Sequence, residues 1–281
     1  MKVLVTGYNG QLGFDVVKEL KNRSIECRGV DRTDFDITNR EQTVEYIYAY
    51  APDVVVHCAA YTAVDRAEDD EENCRRVNTD GTESIALACE RLGAKMLYVS
   101  TDYVYGGAGD KPFEPSDATD PKNVYGRTKL DGEAAMLRHV DKYFVVRTSW
   151  VFGINGNNFV KTMLRLGTEK DELNVVDDQI GSPTYTPDLA RLICDLIETE
   201  HYGIYHGTNE GYCSWADFAA EIMRLGGRKA VVNPVPSSQY PVRAERPHNS
   251  RLSKECLDRI GIKRLPQWQD ALKRFLKELG E

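Results

Sequence analysis

Short apolar runs alternate with amphipathic stretches through the first half of the chain. The runs are residues 3–5, 27–30, 54–58, 96–99 and 144–146. Between them, residues 12–20, 40–50 and 82–92 place apolar side chains at helical intervals, which predicts a helix for each. Val54, Val55 and Val56 are apolar at successive positions, as in a strand covered on both faces. Thr38 and Glu41 have the spacing of a capping box opening the 40–50 helix. Strand–helix alternation implies parallel strands joined by right-handed crossovers. The expected fold is therefore α/β, a Rossmann-like doubly wound parallel sheet with a smaller C-terminal substrate-binding lobe.

The alternation loosens after about Trp150, where Gly153, Asn155, Gly156, Asn157, Asn158, Gly181, Pro183 and Pro187 crowd in. Helices are still expected near 187–198, 214–225 and 267–279. Residues 1–149 read as mainly a dinucleotide-binding domain. Residues 150–281 read as mainly a substrate-facing lobe that also returns strands to the first domain.

Three glycines follow the first apolar run. Gly7, Gly10 and Gly13 lie between a strand and a helix, with Gln11 and Leu12 among them. In that context glycines serve a tight turn, close approach of backbone to a pyrophosphate, and close helix–strand contact. The helix start offers free N–H groups and partial positive charge to phosphates. Asp31 ends the second apolar run and is placed to accept hydrogen bonds from an adenosine ribose, which favours NAD. Arg32 beside it suits the 2′-phosphate of NADP. Asp36 and Ile37 are candidates to flank the adenine, or simply a polar turn. The small residues Ala59 and Ala60, followed by Tyr61 and Thr62, leave room for a ligand at the end of the third strand.

Composition narrows the partners. The chain has 281 residues, 41% hydrophobic and 28% charged, with a net charge of −8. This length supports a sizeable core. No Lys/Arg run stands out, so nucleic acid is not an expected partner. The acidic balance does not forbid an anionic small molecule, because a few local donors hold a phosphate. The seven cysteines are widely spaced without a CxxC pair, which reads as reduced thiols in a cytoplasmic protein. No stretch approaches the roughly 18 apolar residues of a membrane span.

The chemistry is carried by Tyr125 and Lys129. Four residues apart, they share one face of a helix. A free tyrosine has a pKa of roughly 10, and a nearby ammonium is expected to lower it and make the phenol a usable general acid or base. Thr101, in Ser100-Thr101-Asp102-Tyr103 after the fourth strand, is a candidate hydrogen-bond donor to a substrate carbonyl.

Together, residues 6–13, Ser100 with Thr101, and Tyr125 with Lys129 resemble the extended short-chain dehydrogenase/reductase family. Within it, residues 57–65, 100–105, 147–153 and 158–160 and the pair Arg246-Pro247 resemble the branch acting on dTDP-linked 4-keto sugars. That resemblance covers nearly the whole chain. It implies hydride transfer from NADH or NADPH to C4 of dTDP-4-dehydro-β-L-rhamnose, the last step of dTDP-L-rhamnose synthesis, as for cell-wall polysaccharide. It also implies that Tyr125 gives the proton, Lys129 holds the nicotinamide ribose, and Thr101 completes the hydrogen bonding of the carbonyl. Asp102, Tyr103 and Trp150 are then expected at the sugar, and Asn158, Phe159 and Arg246 at the nucleotide half. Related dehydratases carry Asp-Glu after the threonine; Asp102-Tyr103 lacks the second carboxylate, which favours reduction. Some members hold Mg²⁺ at a dimer interface, and the corresponding positions are Asp15, Asp188 and Glu278; no metal site is assigned. A monomer or homodimer is expected. Two rival readings share the motifs: a nucleotide-sugar epimerase that retains its NAD, and a non-catalytic NADP-binding regulatory subunit of the methionine adenosyltransferase type.

Overall fold

A computed structural model describes residues 1–281. Six parallel strands form the main sheet: β1 (Lys2–Thr6), β2 (Glu26–Val30), β3 (Val54–His57), β4 (Lys95–Thr101), β5 (Tyr143–Thr148) and β6 (Gly203–His206). Their order is β2-β1-β3-β4-β5-β6. The chain leaves β1 to one side for β2 and crosses back to the other side for β3. That reversal opens a crevice at the carboxyl ends of β1 and β3, where doubly wound folds bind their ligands.

The principal helices are α1 (Gln11–Asn22), α2 (Arg40–Tyr50), α3 (Gly81–Leu92), α4 (Val124–Leu137), α5 (Phe159–Glu169), α6 (Thr186–Ile197), α7 (Trp215–Leu225) and α8 (Trp268–Leu279). On one face of the sheet, Val16 and Leu20 of α1 pack with Leu189, Leu192 and Ile193 of α6 against Val3, Val5, Val54 and Val56. On the other, Ile47 of α2, Ile85 of α3 and Met136 of α4 cover Leu4, Val55 and Met96. The unbroken valine run of β3 follows from this double cover. A separate core, with Phe152, Met163, Phe218, Ile222, Trp268 and Phe275, joins α5, α7 and α8. Residues after 150 therefore serve two bodies: this second lobe, and the main sheet through α6 and β6. All seven cysteines are unpaired, and no helix is long and apolar enough to cross a membrane.

The capping box expected at Thr38 does not form. Asp36 accepts both the backbone N–H and the hydroxyl of Thr38, each at 2.9 Å, which turns Thr38 away from α2. Asn39 caps the helix instead, accepting from the N–H of Gln42 at 3.2 Å. A capping box does open α7, where Ser214 and Asp217 bond reciprocally at 2.9 Å.

The two lobes meet at the glycine turn. Gln11 Oε1 accepts from Gly153 N and Asn158 Nδ2, each at 3.0 Å. Asn155 Nδ2 donates to the carbonyls of Asn9 at 2.9 Å and Gly10 at 3.2 Å. This clamp holds the second lobe over the crevice.

Candidate active site

The glycine turn is tight because backbone passes backbone. Gly7 has φ +72°, and a Cβ there would stand 2.7 Å from Ala59 N. A Cβ on Gly13 would stand 2.3 Å from the Gly7 carbonyl oxygen. Helix α1 begins after Gly10 with no side-chain cap, so its first N–H groups remain free for an anion. Behind the turn, Thr6 Oγ1 bonds His57 Nδ1 at 2.7 Å, and His57 Nε2 bonds Thr82 at 3.1 Å. Burial drops His57 to about 3, so it braces β1 and β3 as a neutral ring.

Helix α4 carries Tyr125 and Lys129. Asn123 caps it by accepting from Gly126 N at 2.7 Å. Gly126 lets the helix approach the turn after β4, since a Cβ there would stand 2.2 Å from the Tyr103 carbonyl oxygen. That approach places Tyr125 beside Thr101 in the cleft wall and edge-on to Tyr103, with ring centroids 5.6 Å apart. Thr101 Oγ1 donates to Asp102 Oδ1 at 2.9 Å and accepts from Tyr103 N at 3.2 Å. One turn along α4, Lys129 donates to the Val99 carbonyl at 2.7 Å and lies 3.9 Å from the centre of the Tyr98 ring.

The electrostatics differ from the sequence expectation. Burial pushes the Tyr125 phenol above its usual range, opposed by the nearby Thr101 hydroxyl. Burial also lowers Lys129 to about 7, partly offset by Glu133. Desolvation dominates both groups, and the expected pull of the ammonium on the phenol is not among the influences on Tyr125. A phenol that keeps its proton at neutral pH is the form an acid must have. A buried amine near 7 is charged below that pH and neutral above it. The kcat/KM for the dinucleotide, which reports free-enzyme groups, is therefore expected to be level below about 7 and to fall above it. A profile flat into the alkaline range contradicts a working Lys129 ammonium.

Two polar atoms in the cleft lack partners: Asp102 Oδ2 and Thr148 Oγ1. Thr148 sits opposite Thr101 in the β4–β5 register. Burial raises Asp102 to about 6. Buried polar atoms are normally satisfied, so both are free for a ligand's hydroxyl or amide groups.

The cleft has a volume of about 1040 Å³, at the upper end of ligand sites. Its wall brings together Gly7, Gly10, Gln11, Leu12 and Gly13 with Asp31, Asp36 and Ile37. Ala59, Ala60, Tyr61 and Thr62 line it too, as do Thr101, Asp102, Tyr103, Tyr125, Lys129, Trp150 and Asn158. At the end of the cleft beside β2, Asp31 is already engaged. Its Oδ1 accepts from Thr33 N at 2.7 Å and Thr33 Oγ1 at 2.8 Å, and its Oδ2 accepts from Asn9. Arg32 lines the same end, joined by Arg76, which the sequence reading missed. Arg76 opens a single π-helical segment, Arg76–Asp80, a distortion frequent at functional sites. Asn78 of that segment exchanges hydrogen bonds with the Tyr61 backbone at 2.8 and 3.2 Å.

At the other end, Trp150 has φ +50°, a left-handed conformation rare for a bulky residue. Its ring stacks on Trp215 at 3.7 Å, and Gly181 leaves room beneath it, since a Cβ there would stand 2.8 Å from the ring. Trp215 also lines the cleft and was not foreseen, because at the start of α7 it reads only as the first residue of a helix.

Three expectations change. Phe159 is not in the wall; as the first residue of α5 it packs behind Trp215, centroids 4.6 Å apart. Arg246 is not in the wall either; its guanidinium pairs with Asp65 at 2.6 Å and donates to Tyr103 Oη at 3.2 Å. Asn158 reaches the cleft but caps α5, accepting from Lys161 N at 3.1 Å, while its amide bonds Gln11.

The acidic trio does not fit a metal. Asp188 is paired with Arg274 at 2.9 and 2.6 Å and accepts from Asn209 at 2.8 Å. Glu278 accepts from Tyr185 and faces Lys18 at 3.4 Å. Asp15 accepts from Thr186 at 2.5 Å. Arg274 already neutralises Asp188, and the three carboxylates do not converge on one point.

A doubly wound sheet, a glycine turn at its switch point and a Thr–Tyr–Lys cluster define a Rossmann-type NAD(P)-dependent oxidoreductase. The chain belongs to the RmlD substrate binding domain family, whose model matches residues 1–281. It is 40% identical to the spore coat polysaccharide biosynthesis protein SpsK of Bacillus subtilis, over 99% of this chain and 97% of that protein. It is 39% identical to the dTDP-4-dehydrorhamnose reductase of Escherichia coli K12, over 99% of this chain and 98% of that one. Among solved structures, dTDP-4-dehydrorhamnose reductase from Bacillus anthracis in complex with NADP superposes with a TM-score of 0.96. It shares 41% identity, covering 99% of this chain and 100% of that one.

Proposed function

We propose that this chain reduces the C4 keto group of dTDP-4-dehydro-β-L-rhamnose to give dTDP-L-rhamnose, at the expense of NADH or NADPH. One observation carries the reading: a proton-bearing Tyr125, beside Thr101, shares a cleft with the free N-terminus of α1 and with Lys129.

The α1 N–H groups hold the pyrophosphate. Arg32 and Arg76 face a 2′-phosphate, while Asp31 is occupied by Asn9 and Thr33; this favours acceptance of NADPH as well as NADH. The reduced nicotinamide, when bound, supplies the hydride. Thr101 and Tyr125 hold the keto oxygen, and Tyr125 gives its proton to the alkoxide as it develops. Lys129 holds the nicotinamide ribose beside them. Asp102, with its free oxygen, and Tyr103 take the sugar hydroxyls, and Trp150 on its Trp215 backing forms the apolar side. Residues 1–149 act mainly in dinucleotide binding and 150–281 mainly in substrate binding. The enzyme works in the cytoplasm as a monomer or homodimer.

The test is turnover of the keto-sugar with added NADPH. The expected result is NADPH loss equal to the dTDP-L-rhamnose formed. Turnover by tightly retained NAD without net oxidation points to an epimerase. Absence of turnover, with dinucleotide bound and a methionine adenosyltransferase captured, points to a regulatory subunit. Either outcome overturns the proposal.

A further inference from the structure

We propose that Glu133 is a positioning residue for this reaction: through Ser100 and Arg147 it fixes the end of β4 that carries Thr101 and the carbonyl holding Lys129. The inference rests on the reductase reading.

Glu133 lies on α4 one turn beyond Lys129, and its side chain is only 3% exposed. Its Oε1 accepts from Ser100 Oγ at 2.5 Å and from Arg147 Nε at 3.0 Å, and its Oε2 accepts from Arg147 Nη2 at 2.7 Å. Ser100 stands between Val99, whose carbonyl takes the Lys129 ammonium, and Thr101. Arg147 faces Ser100 in the β4–β5 register. Its Nη1 donates to Tyr105 Oη at 2.6 Å and to the Pro115 carbonyl at 3.2 Å. One carboxylate therefore ties α4, β4 and β5 together beside the reacting atoms.

Stability is a weak reason for such a pair. A buried ion pair gains little over apolar side chains of similar volume, because both charges lose their water. What it supplies is geometry, and a misplacement of about 1 Å at a reacting group costs on the order of 100-fold in rate. It also supplies charge. Lys129 is faced by Tyr98 and the Val99 carbonyl from β4, by His57 and Cys58 at the end of β3, and by Cys74 of the Glu71–Arg75 helix. Burial keeps His57 neutral and pushes Cys58 up to about 12 and Cys74 upward as well. Glu133 is the anion among these groups that opposes loss of the Lys129 proton.

The experiment compares wild type, Ser100→Ala and Glu133→Gln in kcat, KM, pH profile and melting temperature. Ser100→Ala keeps the ion pair and removes the tether. It is expected to lower kcat by about 10-fold, with the sugar KM and the alkaline limb unmoved. Glu133→Gln is expected to lower kcat at least as much and to move the alkaline limb down by about one pH unit. A purely structural role lowers melting temperature but leaves kcat per folded molecule and the profile unchanged, and that result overturns the proposal. If Glu133→Gln does not fold, Ser100→Ala decides alone, and wild-type kcat in it is the contrary outcome. The pH dependence of NADPH affinity, read by nicotinamide fluorescence, gives the Glu133→Gln comparison without the sugar. Wild type inactive on the keto-sugar therefore counts against the reductase reading, not against the tether.

Discussion

Tyr125→Phe is expected to lower kcat for the keto-sugar by about 10²–10⁴-fold, the range that a positioned general acid supplies. The substrate KM should stay within about a factor of two, because the lost interaction belongs to the transition state. The substitution removes only a hydroxyl, a change of about 1 kcal/mol or less in folding stability. The variant should therefore fold and bind NADPH as wild type does. The argument does not require a phenolate. Burial favours the protonated phenol, so the proton is in place when the hydride arrives. Near-wild-type kcat in this variant removes Tyr125 as the acid. A matched loss of NADPH binding makes it a binding residue instead.

Gly13→Val is expected to weaken NADPH binding by at least about 100-fold, read by fluorescence titration. The Cβ alone would overlap the Gly7 carbonyl oxygen at 2.3 Å and the Gly7 carbonyl carbon at 2.8 Å. Both neighbours are backbone, so the overlap is relieved only by moving α1 or the turn. Gly7 has little freedom to yield, being pressed on Ala59. The first N–H groups of α1 then shift from the pyrophosphate. Valine branches at Cβ and adds to the crowding at the helix start. Circular dichroism separates this loss from unfolding. A folded Gly13→Val that binds NADPH as wild type does contradicts the assignment of the turn.

The glycine turn and the Tyr125–Lys129 helix were legible because their signals are local. Gly7, Gly10 and Gly13 share one strand-to-helix junction, and Tyr125 and Lys129 share one helix, so spacing alone orders them. The strands with continuous apolar runs were equally plain. Strand β6 was not, since Gly203-Ile204-Tyr205-His206 mixes polar and apolar residues. It joins the sheet by pairing with β5, a contact distant in sequence. The side of the cleft lined by Trp150 and Trp215 was harder for the same reason. Trp215 lines the cleft stacked on Trp150, whose φ is +50°, and Arg76 opens a π-helical segment, features that spacing does not announce. Phe159 and Arg246 matched a motif, but one was drawn into the second core and the other into an ion pair with Asp65. The ionisation of Tyr125 and Lys129 was also beyond spacing. Helical distance predicts that they meet, whereas burial decides which of them keeps a proton.

Isotope transfer tests the central claim most directly. NADPH carrying deuterium at the reactive position of the nicotinamide is turned over with dTDP-4-dehydro-β-L-rhamnose, and the product sugar is read by NMR. The account predicts deuterium bonded to C4, one per molecule of cofactor oxidised. Deuterium left on the nicotinamide, or product whose C4 hydrogen comes from solvent, contradicts it.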